Sequence, residues 1–149
     1  MSEYRVFVDW QHGGGEFAYD SFNRSHKIRY GGGQEIWASS APEYAGVAEH
    51  VNPEEALAAA LASCHMLTFL ALCAKKRLPV ASYRDEAVAS LGKNEAGQLC
   101  VSHIGLNPQV AFSGVEVDAE QLKQLHERAH QACFIANSIR SEVGITPRF

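Results

Sequence analysis

The chain reads as an α+β protein with a largely antiparallel sheet, and three observations lead there. Alternating segments open it, a 19-residue uncharged run fills residues 56–74, and a meander followed by one amphipathic helix closes it. Strands, a long helix, then strands and a second helix give segregated rather than alternating elements, the α+β pattern.

Each element follows from its own residues. Tyr4 to Trp10 alternates, with Tyr4, Val6, Val8 and Trp10 on one face, as a half-buried strand does. Gly13-Gly14-Gly15 turns the chain, a second strand is expected over 16–22 and a third over 26–30, and Gly31-Gly32-Gly33 turns it again. Residues 37–51 read as an ordered loop. Asn52-Pro53-Glu54-Glu55 begins a helix and Lys75-Lys76-Arg77 ends it, with acids and bases at the termini that suit the helix dipole. That gives one helix of about 25 residues, apolar on every side and so expected to be buried all round. Pro79 closes the helical pattern. A strand over 82–91, a turn at 92–97 and a partner over 98–105 form a hairpin, and 106–112 extends the sheet with Pro108 at a bulge or edge. Asp118-Ala119-Glu120-Gln121 is a capping box that starts a helix running to about Ala132. A last strand is expected over 139–143.

At 149 residues, 46% hydrophobic and 20% charged, the chain is expected to form a single domain over 1–149. A net charge of −4 without a basic stripe argues against nucleic acid. No secretory signal is read at the start, which suggests a cytoplasmic protein. The uncharged run approaches the roughly 20 residues of a membrane span. Its alanine content, and Ser63, Cys64, His65 and Thr68 within it, fit better a helix shielded by sheets or by a second copy of the chain. No membrane partner is expected.

Four cysteines at 64, 73, 100 and 133 include no CxxC pair, so neither a zinc ribbon nor any other metal or cofactor is expected. Cys73 lies nine residues beyond Cys64 on the opposite side of the helix and reads as core; so does Cys100. Cys133 closes the second helix, where His126, His130 and Cys133 share a face. That face also admits a metal reading, without a third ligand in view. Two buried helices that each present a cysteine can bring the thiols together by packing, which would allow a thiolate to react with an electrophile and the second thiol to capture the product.

From Asn52-Pro53-Glu54 through the alanine-rich helix to Cys64, the chain resembles the OsmC/Ohr family of thiol peroxidases. His130 to Ser138, with Cys133 and the Asn137-Ser138 pair, resembles that family's C-terminal cysteine segment. The resemblance implies an OsmC-like fold, with sheets wrapped around long central helices in an intertwined homodimer. It implies that Cys64 is the peroxidatic cysteine, Cys133 the resolving one, and Glu54 the acid that positions a catalytic arginine. Arg24 has roughly the spacing of that arginine, with Arg29 as competitor. Glu55 reads instead as the capping partner of Asn52. Where the family typically carries proline after its second cysteine, this chain has Phe134.

The implied activity is reduction of organic hydroperoxides to alcohols, through a Cys64 sulfenic acid and a Cys64–Cys133 disulfide. A dithiol reductant, such as a lipoyl group, would restore the thiols, in a role of oxidative-stress defence. Ten residues of helix separate Glu54 from Cys64, about 15 Å of rise and about 280° of rotation. On a straight helix they cannot share a site, so Glu54 and Arg24 of one subunit are expected to face Cys64 of the other. Phe69, Met66, Phe134 and Trp37 are candidates for an apolar pocket wall. Two other readings compete: a cysteine hydrolase or acyl transferase with His130 as base, and a non-enzymatic ligand-binding or redox-sensing dimer.

Overall fold

A computed structural model describes all of residues 1–149. They form eight strands and two α-helices in two compact units, Met1–Ala56 and Leu57–Phe149. The α+β class stands, with antiparallel pairing in every sheet.

The first unit is built on a three-stranded antiparallel sheet of β1 (Val6–Asp9), β2 (His26–Tyr30) and β3 (Glu35–Ala38). Phe7 pairs with Arg29 and Ile28 with Ile36 across the ladder. The β2–β3 hairpin turns at Gly33, whose φ of 98° favours glycine. β3 occupies part of the expected loop; its Glu-Ile-Trp-Ala run is too short for alternation to show. The strand expected over 16–22 is absent. There the chain turns at Ala18, whose carbonyl accepts from the N–H groups of Ser21 and Phe22. The apolar residues that suggested a strand instead gather as a ring cluster of Trp10, Phe17 and Phe22.

Helix α1 runs unbroken over Pro53–Lys75. Its start is the expected reciprocal box. Asn52 Oδ1 accepts from Glu55 N–H at 2.9 Å, and Glu55 Oε1 accepts from Asn52 N–H at 3.0 Å. Its end is a left-handed Arg77 (φ 57°), with Leu78 N–H reaching back to Cys73 O at 2.9 Å.

The expectation of all-round burial does not hold within one chain. Ala58, Leu61, His65, Phe69 and Cys73 form a buried stripe, while Ala59, Ala60, Ser63, Leu67 and Ala71 are exposed. The exposed side is small and apolar rather than polar, which is why periodicity could not reveal it. The helix is long and apolar enough to cross a membrane, but its buried stripe makes it the core helix of this fold.

In the second unit the expected 82–91 strand is two strands in two sheets. β4 (Val80–Asp85) pairs antiparallel with β7 (Pro108–Phe112), and β5 (Val88–Lys93) pairs with β6 (Leu99–Leu106). Asn107 ties the crossover: its N–H donates to Asp85 Oδ1 at 2.7 Å and its amide to Glu86 O at 2.9 Å. Pro108, at the start of β7, stands where the chain changes sheet. The last strand, β8 (Glu142–Ile145), lies later than expected and runs parallel to β6. Helix α2 (Ala119–Ala132) has Asp118 as its cap, accepting from Gln121 N–H at 2.8 Å.

Two apolar cores flank α1 in this unit. Leu61, Ile104, Leu106 and Cys133 form one, with Cys64, Ile135 and Ala136 packed on it. Phe69, Cys73, Leu122, Leu125 and Ala129 form the other, where α1 meets α2. Fully burying side chains of this size stabilises by about 1.5–3 kcal/mol each.

Candidate active site

Cys64 is half-buried in the middle of α1, and Cys133 is fully buried at the C-cap of α2. Cys64 packs against the core cluster that contains Cys133, and each thiol shifts the pKa of the other. Cys133 leaves α2 with an extended backbone (ψ 116°), so the helix stops and a tight turn follows. In that turn Asn137 N–H donates to Cys133 O at 3.1 Å, and Ala136 N–H points at Cys133 Sγ at 3.4 Å.

The two sulfurs are electrostatically unequal. Burial raises the Cys64 pKa, but the Cys133 thiol and the Ile135 and Phe134 N–H groups outweigh it, leaving Cys64 below an ordinary thiol. Cys133 is pushed up, by burial first and then by its bond to Cys64. Cys64 is therefore the more readily ionised of the two thiols, and Cys133 the one that more readily keeps its proton. The thiolate is the nucleophile, and a neutral thiol beside it is placed to condense with an oxidised sulfur. Cys73, raised by burial alone, is inert core.

The first unit holds the other two expected site residues. The Arg24 guanidinium donates to Phe22 O at 2.7 Å and to Tyr19 O, and lies 3.7 Å from the centroid of the Phe22 ring. It borders an apolar hollow of about 410 Å³ with Trp10, Phe17, Phe22 and Pro53. Arg29 stacks on Phe7 instead, 4.1 Å from the ring centroid. Glu54 is half-buried and makes no ion pair with Arg24; the ion pairs are Arg5–Glu3 and Lys27–Glu35. Cys64 and Cys133 are thus brought together, whereas Arg24 and Glu54 are not joined within the chain. No break in α1 brings Glu54 back toward Cys64.

Two of the suggested pocket-wall residues have other roles. Phe69 is fully buried and stacks on His126, so it is core. Trp37 stacks on His50 and carries Lys27 over its ring. Phe134 remains 81% exposed beside the thiol pair.

A buried histidine pair escaped the sequence reading. His65 Nε2 and His126 Nδ1 are 2.9 Å apart, joining α1 to α2. Their one signal was the spacing of His126, His130 and Cys133 on one face. Both are held near pKa 4, His65 by burial and then by His126 and His130, His126 by burial. No imidazole is among the groups bonded to Cys64. No group of three or more His, Cys, Asp or Glu side chains is placed to hold a metal ion.

A family model described as OsmC-like protein matches residues 46–148. The chain is 43% identical to an OsmC-like protein of unknown function from Vibrio cholerae, covering 99% of this chain and 100% of that one with a TM-score of 0.93. An organic hydroperoxide resistance protein from Elizabethkingia anophelis is 20% identical, with 99% and 96% covered and a TM-score of 0.73. The organic hydroperoxide resistance protein OhrB of Bacillus subtilis is also 20% identical, with 99% and 98% covered and a TM-score of 0.67. These last two share the fold with this chain. No curated protein matches the sequence.

Proposed function

The chain belongs to the OsmC-like protein family, and from that premise we propose that it is a thiol-dependent peroxidase that reduces organic hydroperoxides in oxidative-stress defence. The observation that carries this reading is the Cys64–Cys133 contact, with Cys64 made more acidic and Cys133 less so.

The Cys64 thiolate attacks one peroxide oxygen. The O–O bond breaks, the second oxygen leaves with a proton as the alcohol, and Cys64 becomes a sulfenic acid. The Cys133 thiol then attacks that sulfur, the S–S bond forms and water departs. A dithiol, for which a lipoyl group is the candidate, reduces the disulfide and is itself oxidised.

The active unit is a homodimer. The exposed apolar side of α1, with Leu67 59% exposed, and the exposed Phe7, Val8 and Trp10 along the first sheet favour cover by a second copy. In that dimer Arg24 and Glu54 of one subunit serve Cys64 of the other. Arg24 exchanges its bonds to Tyr19 and Phe22 carbonyls for the peroxide and for Glu54, a bidentate arrangement suited to both. Exposed Leu67 and Phe134 near the thiols favour alkyl over hydrogen peroxide, since apolar groups gain by leaving water. The reaction is placed in the cytoplasm, where thiols are kept reduced.

A hydrolase reading needs His130 as base at Cys64, but His130 Nδ1 is buried without a hydrogen-bond partner and no histidine is among the groups that shift the Cys64 pKa. Turnover with a lipoyl-type dithiol tests the proposal. Cumene hydroperoxide should be consumed faster than hydrogen peroxide, and Cys64→Ser should abolish both. Undiminished consumption by that variant would refute it.

A further inference from the structure

The turn after Cys133 has a feature that neither helix explains. Its N–H groups at Cys133, Asn137 and Ser138 bond to main-chain oxygens, and that of Ala136 to Cys133 Sγ. Those of Phe134 and Ile135 have no main-chain acceptor. Cys64, Ile135 and Ala136 all pack on the one core cluster that contains Cys133, and the Phe134 and Ile135 N–H groups are among those that lower the Cys64 pKa. The Thr68 hydroxyl has one hydrogen, and Cys64 O takes it at 2.8 Å. The dependable donors left for Cys64 Sγ are the Cys133 thiol and the two free amides.

We propose that the main-chain N–H groups of Phe134 and Ile135 hold the Cys64 thiolate, so that residue 134 helps set how readily Cys64 of the same chain ionises. The relevant property of Phe134 is that it is not proline: it keeps a donor that a proline there would lack. Charge-assisted bonds of this kind are roughly twice as strong as neutral ones, and main-chain donors bring no side-chain entropy cost. The consequence for catalysis rests on the peroxidase reading; the acidity of Cys64 does not.

Position 134 allows a clean deletion of the donor. Cys133 has φ −73° and ψ 116°, an extended conformation compatible with a following proline, and proline is well tolerated as the first residue of a helical turn. The test is the pH dependence of iodoacetamide alkylation of the reduced full chain, read by mass spectrometry at the Cys64 peptide. Phe134→Ala, which removes the ring and keeps the N–H, should retain the native profile. Phe134→Pro should move the profile to higher pH and slow alkylation near pH 7 by about tenfold. Coincident profiles for Phe134→Pro and Phe134→Ala would overturn the proposal.

A second measurement needs no change at residue 134. In the native protein the Phe134 and Ile135 amide resonances should titrate with the same midpoint as Cys64 and lose that transition in Cys64→Ser. Amides indifferent to Cys64 ionisation would overturn the proposal even if Phe134→Pro failed to fold. Failure of Cys64 to react with hydroperoxide would instead strike the peroxidase reading and leave these titrations to decide the cradle.

Discussion

His65 Nε2 meets His126 Nδ1 at 2.9 Å, with the ring planes only 8° apart and the centroids 5.2 Å apart. Those values describe two nearly coplanar imidazoles joined edge to edge rather than stacked. One ring must donate and the other accept, so the bond is lost once both rings are protonated. His65 directly follows Cys64, and His126 sits on the helix that ends at Cys133, so this bond fixes the two helices that carry the thiols.

Stability should therefore fall in acid. Both histidines have folded pKa values of about 4 against 6.5 for the free group. Between those values the unfolded chain binds protons that the folded chain refuses, so stability is full above about pH 6.5 and is lost as pH falls toward 4. One such histidine contributes on the order of 3 kcal/mol over that window. Thermal unfolding from neutral pH downward should show the decline, and His126→Gln should flatten part of it. Equal slopes for the two proteins would contradict this.

Glu54 and Glu55 are neighbours with separable roles. Glu55→Ala removes one arm of the Asn52 box and should cost about 0.5–1 kcal/mol of stability with little effect on turnover. Glu54→Gln should leave the unfolding midpoint in place and lower kcat/KM by about tenfold or more through loss of arginine positioning. Chemical denaturation and peroxide turnover of both variants separate the two. A stable, fully active Glu54→Gln enzyme would remove Glu54 from the site.

Mixed dimers test whether the site is shared. Arg24→Ala and Cys64→Ser proteins, each inactive alone, are unfolded together and refolded. If Arg24 acts across the interface, one site in each mixed dimer is complete, and random pairing should restore roughly a quarter of the native rate. Action within one chain restores nothing.

The sequence made α1 and α2 legible because both carry side-chain caps, a reciprocal one between Asn52 and Glu55 and a single one in which Asp118 accepts from Gln121 N–H. Cys64 and Cys133 were legible as a pair through the family resemblance, with helix packing as the physical route. The split of the 82–91 strand was not, because its cause is Asn107, bonding across the sheet corner to Asp85 and Glu86 from a distant part of the chain. The missing strand near Phe17 has a similar reason: aromatic residues suit strands and ring clusters alike. The His65–His126 bond joins two helices, and no local pattern records which face meets which.

The account centres on Cys64 and Cys133 acting as one redox pair. Its most direct test is to treat the reduced protein with one equivalent of cumene hydroperoxide and map disulfides by non-reducing peptide mass spectrometry. A Cys64–Cys133 disulfide should form, Cys73 and Cys100 should stay free, and Cys133→Ser should leave Cys64 trapped as a sulfenic acid. Peroxide consumed with Cys64 still a free thiol, or a disulfide that excludes Cys133, would contradict it.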